Sequence, residues 1–236
     1  MTLLLFSILL LRPPEKDAVF MVQELAITLN GERTVSWTNH IAIGKSRVRV
    51  DKGSFSLIFD FRLQLFIYID HESKTYQISN SSTTKGHLRR FFTGLTPITN
   101  GMLEYSGSYL TKLNKRKIVQ GFPCQAYKLD YPEHMDVETV WWTFPHPFLS
   151  TNDYKRFMIA LLGSDVPGDV KHVIGSILRQ TWGIPVSIHT TMKLGNDKIE
   201  MVAAFKHFEL RKNTDYTHFE IPKDYSMLKL DTHQVP

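Results

Sequence analysis

Apolar and polar residues alternate over most of the chain. In Arg47–Asp51 two valines alternate with charged residues, and in Leu63–Asp70 every second residue is leucine or isoleucine. A period of two places successive side chains on opposite faces of a β-strand. Turn sequences such as Asn30-Gly31 and Lys52-Gly53 separate these segments, which is typical of hairpins. The pattern therefore predicts an antiparallel meander.

The strands predicted in this way are Ala18–Thr28, Thr34–Ile43, Arg47–Asp51, Phe55–Asp60, Leu63–Asp70, Thr75–Ile78, Tyr105–Thr111, Lys117–Val119, Cys124–Asp130, Val137–Phe144, Ile184–Leu194 and Ile199–Leu210. Leu63–Asp70 also carries Phe66 and Tyr68 on its second face. A strand that is apolar on both faces is usually covered on both sides. We expect it to lie in the interior of the sheet.

Helical spacing interrupts the strands in one region. Asp153–Gly163 and Gly168–Thr181 have apolar residues three and four positions apart, and Gly163 is suited to end the first of them. A short helix is also compatible with Thr83–Leu95. We expect the first two helices to pack on the concave side of the sheet.

The composition indicates a packed domain with no evident nucleic-acid site. Hydrophobic residues make up 42% of the chain and aromatic residues 12%, which is ample for a core. The net charge of +5 makes nucleic acid or anionic lipid a conceivable partner. However, the densest basic run, Lys112–Lys117, has no interleaved aromatic residues. We interpret it as a solvated loop and expect no nucleic-acid binding.

Residues suited to catalysis or metal binding lack the required spacing. The 10 histidines are scattered, and no nucleophile elbow or phosphate-binding loop is present in the sequence. Cys124 is the single cysteine, beside Pro123, and nothing in the local sequence would activate it. We expect a small buried thiol, no metal, no cofactor and no enzymatic activity.

The first residues have the character of an export signal. Leu3–Leu11 is apolar and too short for the roughly 20 residues of a membrane span. No basic residue precedes it, and Arg12-Pro13-Pro14 offers no small-residue cleavage site. Residues 1–17 are interpreted as a signal peptide or a disordered N-terminus, which predicts a periplasmic or secreted protein.

Four short motifs occur in a definite order: Gly121–Tyr127 (GFPCQAY), Val140–Thr143 (VWWT), Gly183-Ile184-Pro185 and Phe219–Tyr225 (FEIPKDY). Each is weak alone. Their order resembles that of the bacterial lipoprotein-carrier (LolA/LolB-like) superfamily, specifically its single-domain envelope members.

This resemblance implies an α+β, mainly β fold: a strongly curved antiparallel sheet, forming an incomplete barrel, with helices on the concave side. Residues 18–230 would form one half-barrel domain, and 231–236 a C-terminal tail. The implied function is that of an exported, non-catalytic binding or carrier protein for a lipid or acyl chain. The alternative is an envelope structural or interaction module with a filled core.

A candidate ligand site follows from strand parity within that fold. Mid-strand residues on the inferred inward side are Leu57, Leu65, Ile67, Trp141, Ile188 and Met201. They either line a cavity for an acyl chain or form a dry core. An envelope protein and the membrane surface are further candidate partners, and the expected state is a monomer.

Overall fold

A computed structural model describes residues 17–80, 109–130, 137–145, 152, 179–181, 183–214 and 216–228. These residues form one sheet of twelve strands and one 3₁₀ helix. The strands are β1 Asp17–Leu29, β2 Glu32–Gly44, β3 Arg47–Lys52, β4 Phe55–Asp60, β5 Leu65–Asp70, β6 Thr75–Asn80, β7 Tyr109–Val119, β8 Phe122–Asp130, β9 Val137–Phe144, β10 Ile184–Leu194, β11 Asp197–Lys212 and β12 Ser226–Met227, and the 3₁₀ helix is Tyr216–Phe219.

The sheet consists of two antiparallel meanders joined side by side. The strand order is β12-β6-β5-β4-β3-β2-β1-β11-β10-β9-β8-β7. β1 pairs with β11, which connects the meander β1–β6 to the meander β7–β11. β12 pairs with β6 in parallel, and all other pairs are antiparallel. Within the described residues, β7 and β12 are the two ends of the sheet.

Hydrogen bonds between two hairpin tips fix the register at the centre of the sheet. Asn30 and Gly31 have φ values of 50° and 88°, which their residue types tolerate in a tight hairpin turn. The Asn30 side chain donates to Asp197 Oδ1 at 2.8 Å and accepts from the Lys198 amide at 2.8 Å. The β1–β2 turn is thereby tied to the β10–β11 turn.

One face of the sheet is apolar. Met21 lies opposite Ile41, Ile41 opposite Val50, and Val50 opposite Leu57, and opposed residues of neighbouring strands project to the same side. We call the side that carries these residues the apolar face. The buried cluster that contains them includes Val19, Met21, Ile41, Ile43, Val48, Val50, Leu57, Phe59, Phe66, Cys124, Tyr127, Leu129, Trp141, Phe144, Ile184, Val186 and Phe205.

A β-bulge keeps the apolar face continuous along β11. The register shifts between Met21 and Val22, and His207 has a φ of 53°. One extra residue reverses the alternation of a strand. Phe205 and Phe208, three positions apart, therefore both pack in the main cluster. The same phase change is visible in the sequence Ala-Phe-Lys-His-Phe-Glu-Leu.

The C-terminal segment Tyr216–Leu228, here called the strap, covers part of the other face. Phe219 is buried against Ala18 and Ala42. Ile221 and Tyr225 pack against a second cluster, formed by Ile58, Ile67, Ile69 and Tyr76. β5 is therefore covered on both sides, as its sequence predicted.

The predicted fold class is wrong. The described residues are nearly all β and form a single open sheet, and among them no α-helical element packs on either face. Asp153–Gly163, Thr83–Leu95 and most of Gly168–Thr181 lie outside the described residues, although Arg179 and Gln180 have helical backbone.

The basic run Lys112–Lys117 is part of β7 and not a loop between two strands. A bulge between Lys112 and Arg116 interrupts its pairing with β8. The buried Gln125 side chain accepts from Arg116 Nε and donates to the carbonyls of Leu113 and Lys115, which stabilises the bulge. A bulge interrupts the alternation of side chains along a strand, so the sequence pattern did not indicate that β7 continues through Lys112–Lys117.

Three expectations concern residues outside the described ranges. They are the signal peptide up to residue 16, the tail 231–236 and the C-terminal limit of the half-barrel domain 18–230; Asp17 and Ala18 lie in β1. In the described ranges, no helix has the length and apolar character of a membrane span.

Candidate functional site

Four of the six predicted site residues lie on the apolar face. Leu57 and Trp141 belong to its main cluster, and Ile188 packs against that cluster. Met201 lies in an adjoining cluster with Leu25 and Ala203, which Ile188 also contacts. The structure thus brings these four onto one continuous surface. Whether a ligand binds there stays a prediction.

The expectation that Leu65 and Ile67 share this surface is wrong. Leu57 lies opposite Tyr68, so Ile67 projects to the other face, where it packs with Ile58 beneath the strap. Leu65 has the parity of Ile67 and is only half-buried. Because β5 is apolar on both faces, alternation alone cannot assign a side. The register with β4 decides it.

A row of side chains crosses the apolar face at right angles to the strands. Trp37 lies opposite Leu25, Leu25 opposite Ala203, Ala203 opposite Ile188, and Ile188 opposite Trp141. We call this set the cross-strand row. Its two ends are tryptophans, and its centre is the small side chain of Ala203. Strand spacing sets its length at about 19 Å, four intervals of about 4.8 Å.

Among the described residues of this face, three buried polar atoms have no hydrogen-bond partner. They are Trp37 Nε1, Trp141 Nε1 and Asn39 Oδ1. Asn39 is 1% exposed and donates through Nδ2 to Gln23 Oε1 at 2.9 Å, so the Gln23–Asn39 pair leaves one acceptor unmatched. An unpaired buried polar atom costs about 1–3 kcal/mol. Sequence reasoning missed Trp37 and Asn39, since neither forms a motif.

A polar cluster on the opposite face connects the sheet to the strap. Ser56 Oγ donates to Asp51 and accepts from Arg49 Nη2 at 3.0 Å. His71 Nε2 lies 2.6 Å from Ser56 Oγ, and His71 Nδ1 lies 2.8 Å from Tyr225 Oη.

The hydrogen-bond directions define the tautomer of His71. The single proton of Ser56 is donated to Asp51, so Nε2–H of His71 donates to Ser56 and Tyr225 donates to Nδ1. In a serine nucleophile the histidine must accept the serine proton instead. Ser56 is also fully buried. The cluster therefore has the geometry of an anchor for the strap.

A buried ion pair provides a second anchor. Arg47 and Asp60 have side chains 2% and 1% exposed, and Arg47 Nε donates to Asp60 Oδ2 at 3.1 Å. Arg47 Nη1 also donates to the carbonyl of Phe219 in the strap at 3.2 Å. Asp60 Oδ1 accepts from the amides of Arg62 and Leu63 in the β4–β5 turn. The Asp60 carboxylate therefore stabilises the β4–β5 turn directly and the strap through Arg47.

A pocket of about 430 Å³ with a mixed polar and apolar lining lies between the strap and the β11–β1–β2 part of the sheet. It is lined by Phe20, Met21, Val22, His40, Ile41, Ala42, Asp51, His207, Glu209, Arg211 and His218. Burial, with a contribution from Arg49, lowers the pKa of His218 below 6.5. Despite three histidines, no group of metal-binding residues in the described part of the chain has a geometry suited to an ion.

Cys124 is buried within the main cluster. It is 2% exposed, and burial raises the pKa of its thiol. A buried thiol of raised pKa is a poor nucleophile, because the reactive form is the thiolate. The environment of Cys124 is that of a packing residue.

Together these features define a class: a single open antiparallel sheet with one extended apolar face and a C-terminal strap across the other. No protein-family model matches the sequence, and no curated protein matches it. Structural neighbours include two structures of PNGF-II, with TM-scores of 0.37 and 0.36 and identities of 6% and 8%. These matches cover 87% and 91% of this chain but only 30% and 31% of the PNGF-II chain.

A further neighbour is a LolA superfamily protein from Nitrosomonas europaea. The TM-score is 0.29 and the identity 7%, over 89% of this chain and 93% of the other. Neither a family model nor a curated sequence supports the resemblance seen in the sequence. Similarity at this level does not define a family.

Proposed function

We propose that this protein is a non-catalytic binding or carrier protein for a hydrophobic, acyl-like ligand that contacts the apolar face. The observation that carries the proposal is the continuous apolar surface from β5 to β8, which includes Leu57, Trp141, Ile188 and Met201. Each methylene that such a surface removes from water contributes about 0.8 kcal/mol. Affinity should therefore rise with acyl chain length.

An envelope location is part of the proposal and rests on the apolar run Leu3–Leu11. Expression of the full chain followed by cell fractionation tests it. Recovery in the cytoplasm would contradict the location but not the ligand class.

One observation favours a second candidate function. Leu57 is 4% exposed and Met201 2% exposed, so their surfaces are already covered in this structure. A filled core of this kind suits an envelope structural or interaction module that binds no small molecule. The two candidates differ in whether an acyl ligand can displace what covers the face.

Displacement of a fluorescent fatty acid from the purified protein separates the candidates, together with native mass spectrometry for a co-purified apolar molecule. Met201→Trp fills the apolar face, and Ile67→Trp is the matched control, because Ile67 is also 2% exposed but lies on the opposite face. If the face holds a ligand, Met201→Trp should abolish uptake at little stability cost while Ile67→Trp retains it.

A filled core gives a different result. Met201→Trp would then overpack it by about 1–3 kcal/mol, a cost that Ile67→Trp carries in its own cluster in either case, and the parent protein would take up no ligand at any chain length. That combination would replace the carrier proposal by the interaction module.

A further inference from the structure

The unpaired polar atoms of the apolar face are grouped at one end of the cross-strand row. Trp37 and Asn39 are two positions apart in β2 and project to the same side, so their Cα atoms are about 6.6 Å apart. Trp37 Nε1 is a donor without an acceptor, and Asn39 Oδ1 is an acceptor without a donor. At the far end of the row, Trp141 Nε1 is a single unpaired donor.

We infer that Trp37 and Asn39 form the head-group site for a neutral amphiphile whose acyl chain lies along Leu25, Ala203 and Ile188 toward Trp141. The inference rests on the proposed function. The head must offer a hydrogen-bond acceptor to Trp37 and a donor to Asn39. A monoacylglycerol has both, because its ester carbonyl accepts and its free hydroxyls donate.

The donor and acceptor pair favours a head that both donates and accepts. A fatty acid methyl ester has no donor for Asn39. An ionised carboxylate also lacks a donor, but Lys52 Nζ lies 4.7 Å from the centroid of the Trp37 ring and would attract it. The discriminating comparison is therefore between the two uncharged esters, and monoacylglycerol should bind more tightly than methyl ester at equal chain length.

The row has the dimensions of an acyl chain. Between the tryptophans the row consists of Leu25, Ala203 and Ile188. Because the Ala203 side chain is small, the surface is lowest at the centre of the row. Both polar atoms are shielded from solvent in this structure. Binding is therefore coupled to a local opening of the face, and association should be slower than a simple docking encounter.

Trp37→Phe tests the inference, because it removes the N–H and keeps an aromatic ring. Trp141→Phe is the matched control, since it removes an equally unpaired N–H at the other end of the row. Glycerol monolaurate, methyl laurate and laurate, the last at about pH 8 where its carboxyl group is ionised, compete with a fluorescent acyl probe for each variant.

Trp37→Phe should weaken glycerol monolaurate about tenfold, equal to about 1.4 kcal/mol, whereas Trp141→Phe, at the chain end of the row, should weaken glycerol monolaurate and methyl laurate equally and by less. Methyl laurate should bind more weakly than glycerol monolaurate to the parent, because it offers no donor to Asn39. Thermal unfolding without ligand should show both variants folded, because each loses an uncompensated buried donor.

Equal affinity of parent and Trp37→Phe for glycerol monolaurate would overturn the head-group site and indicate that an ordered water satisfies these atoms. A loss with Trp141→Phe alone would also overturn it, because the head would then lie at β9. If the parent protein binds none of the three compounds, the proposed function itself is wrong.

Discussion

The buried pair Arg47–Asp60 offers the sharpest test of how the strap is held. In Asp60→Asn the side chain keeps the Oδ1 atom that accepts from the amides of Arg62 and Leu63. It loses the negative charge that faces Arg47, and its new amide donor points at the Nε–H. The substitution therefore removes the ion pair and leaves the hydrogen bonds of the turn in place.

The expected cost follows from burial. Both side chains are at most 2% exposed, and removing one partner of a buried pair leaves an uncompensated charge, which costs about 3–5 kcal/mol. For a domain of this size, about 4 kcal/mol corresponds to about 8–16 °C in Tm. The Arg47 contact with the Phe219 carbonyl should also weaken, so hydrogen exchange in the strap should accelerate.

Urea unfolding followed by tryptophan fluorescence measures the effect. With a slope of about 2–3 kcal/mol per molar urea, the midpoint should fall by about 1–2 M. The double variant Arg47→Met with Asp60→Asn removes both charges and should recover most of the loss, a coupling that a double-mutant cycle quantifies.

The exposed pair Lys74–Asp224 is the control. Its nitrogen and oxygen are 2.9 Å apart, but the side chains are 62% and 61% exposed, so solvent screens the attraction. Asp224→Asn should produce no measurable shift. If Asp60→Asn moved the midpoint no further than Asp224→Asn does, the assignment of the buried pair as an anchor of the strap would be refuted.

Three further predictions concern single residues. Gly183→Ala should prevent folding, because at φ +91° the added Cβ would lie 1.9 Å from the Phe144 carbonyl oxygen. In the control Gly31→Ala, at φ +88°, the added Cβ meets nothing within 4 Å, so the free energy of unfolding should fall by only about 1–2 kcal/mol. Equal soluble yields of the two variants would contradict this prediction. The pKa of His218 in the folded protein is below 6.5, so the unfolded chain binds a proton at this residue more readily, and stability should fall as pH decreases through about 6.5. In urea titrations at different pH values, His218→Gln should make this decline in stability smaller, and an unchanged decline would exclude His218 as its source. Cys124→Ser should retain any ligand binding and cost about 1–2 kcal/mol, and the native thiol should react with iodoacetamide only as fast as the protein opens; rapid labelling would show that Cys124 is accessible.

Local patterns in the sequence predicted most of the strands correctly. Alternation in Arg47–Asp51 and the Asn30-Gly31 turn led to the correct segments, because the two-residue period and turn chemistry are local properties. The double apolar character of β5 also indicated its cover on both sides.

The face that each strand presents, and the residues that cover it, depend on how the strands pair in the folded sheet. Ile67 was placed with Leu57, but register with β4 sends it beneath the strap, and register is a relation between strands that one strand cannot encode. The same holds for the anchors. Arg47 and Phe219 are 172 positions apart in the chain, and Trp37 and Trp141 share a row through three intervening strands. Such contacts arise when the chain closes β11 against β1, which no local pattern specifies.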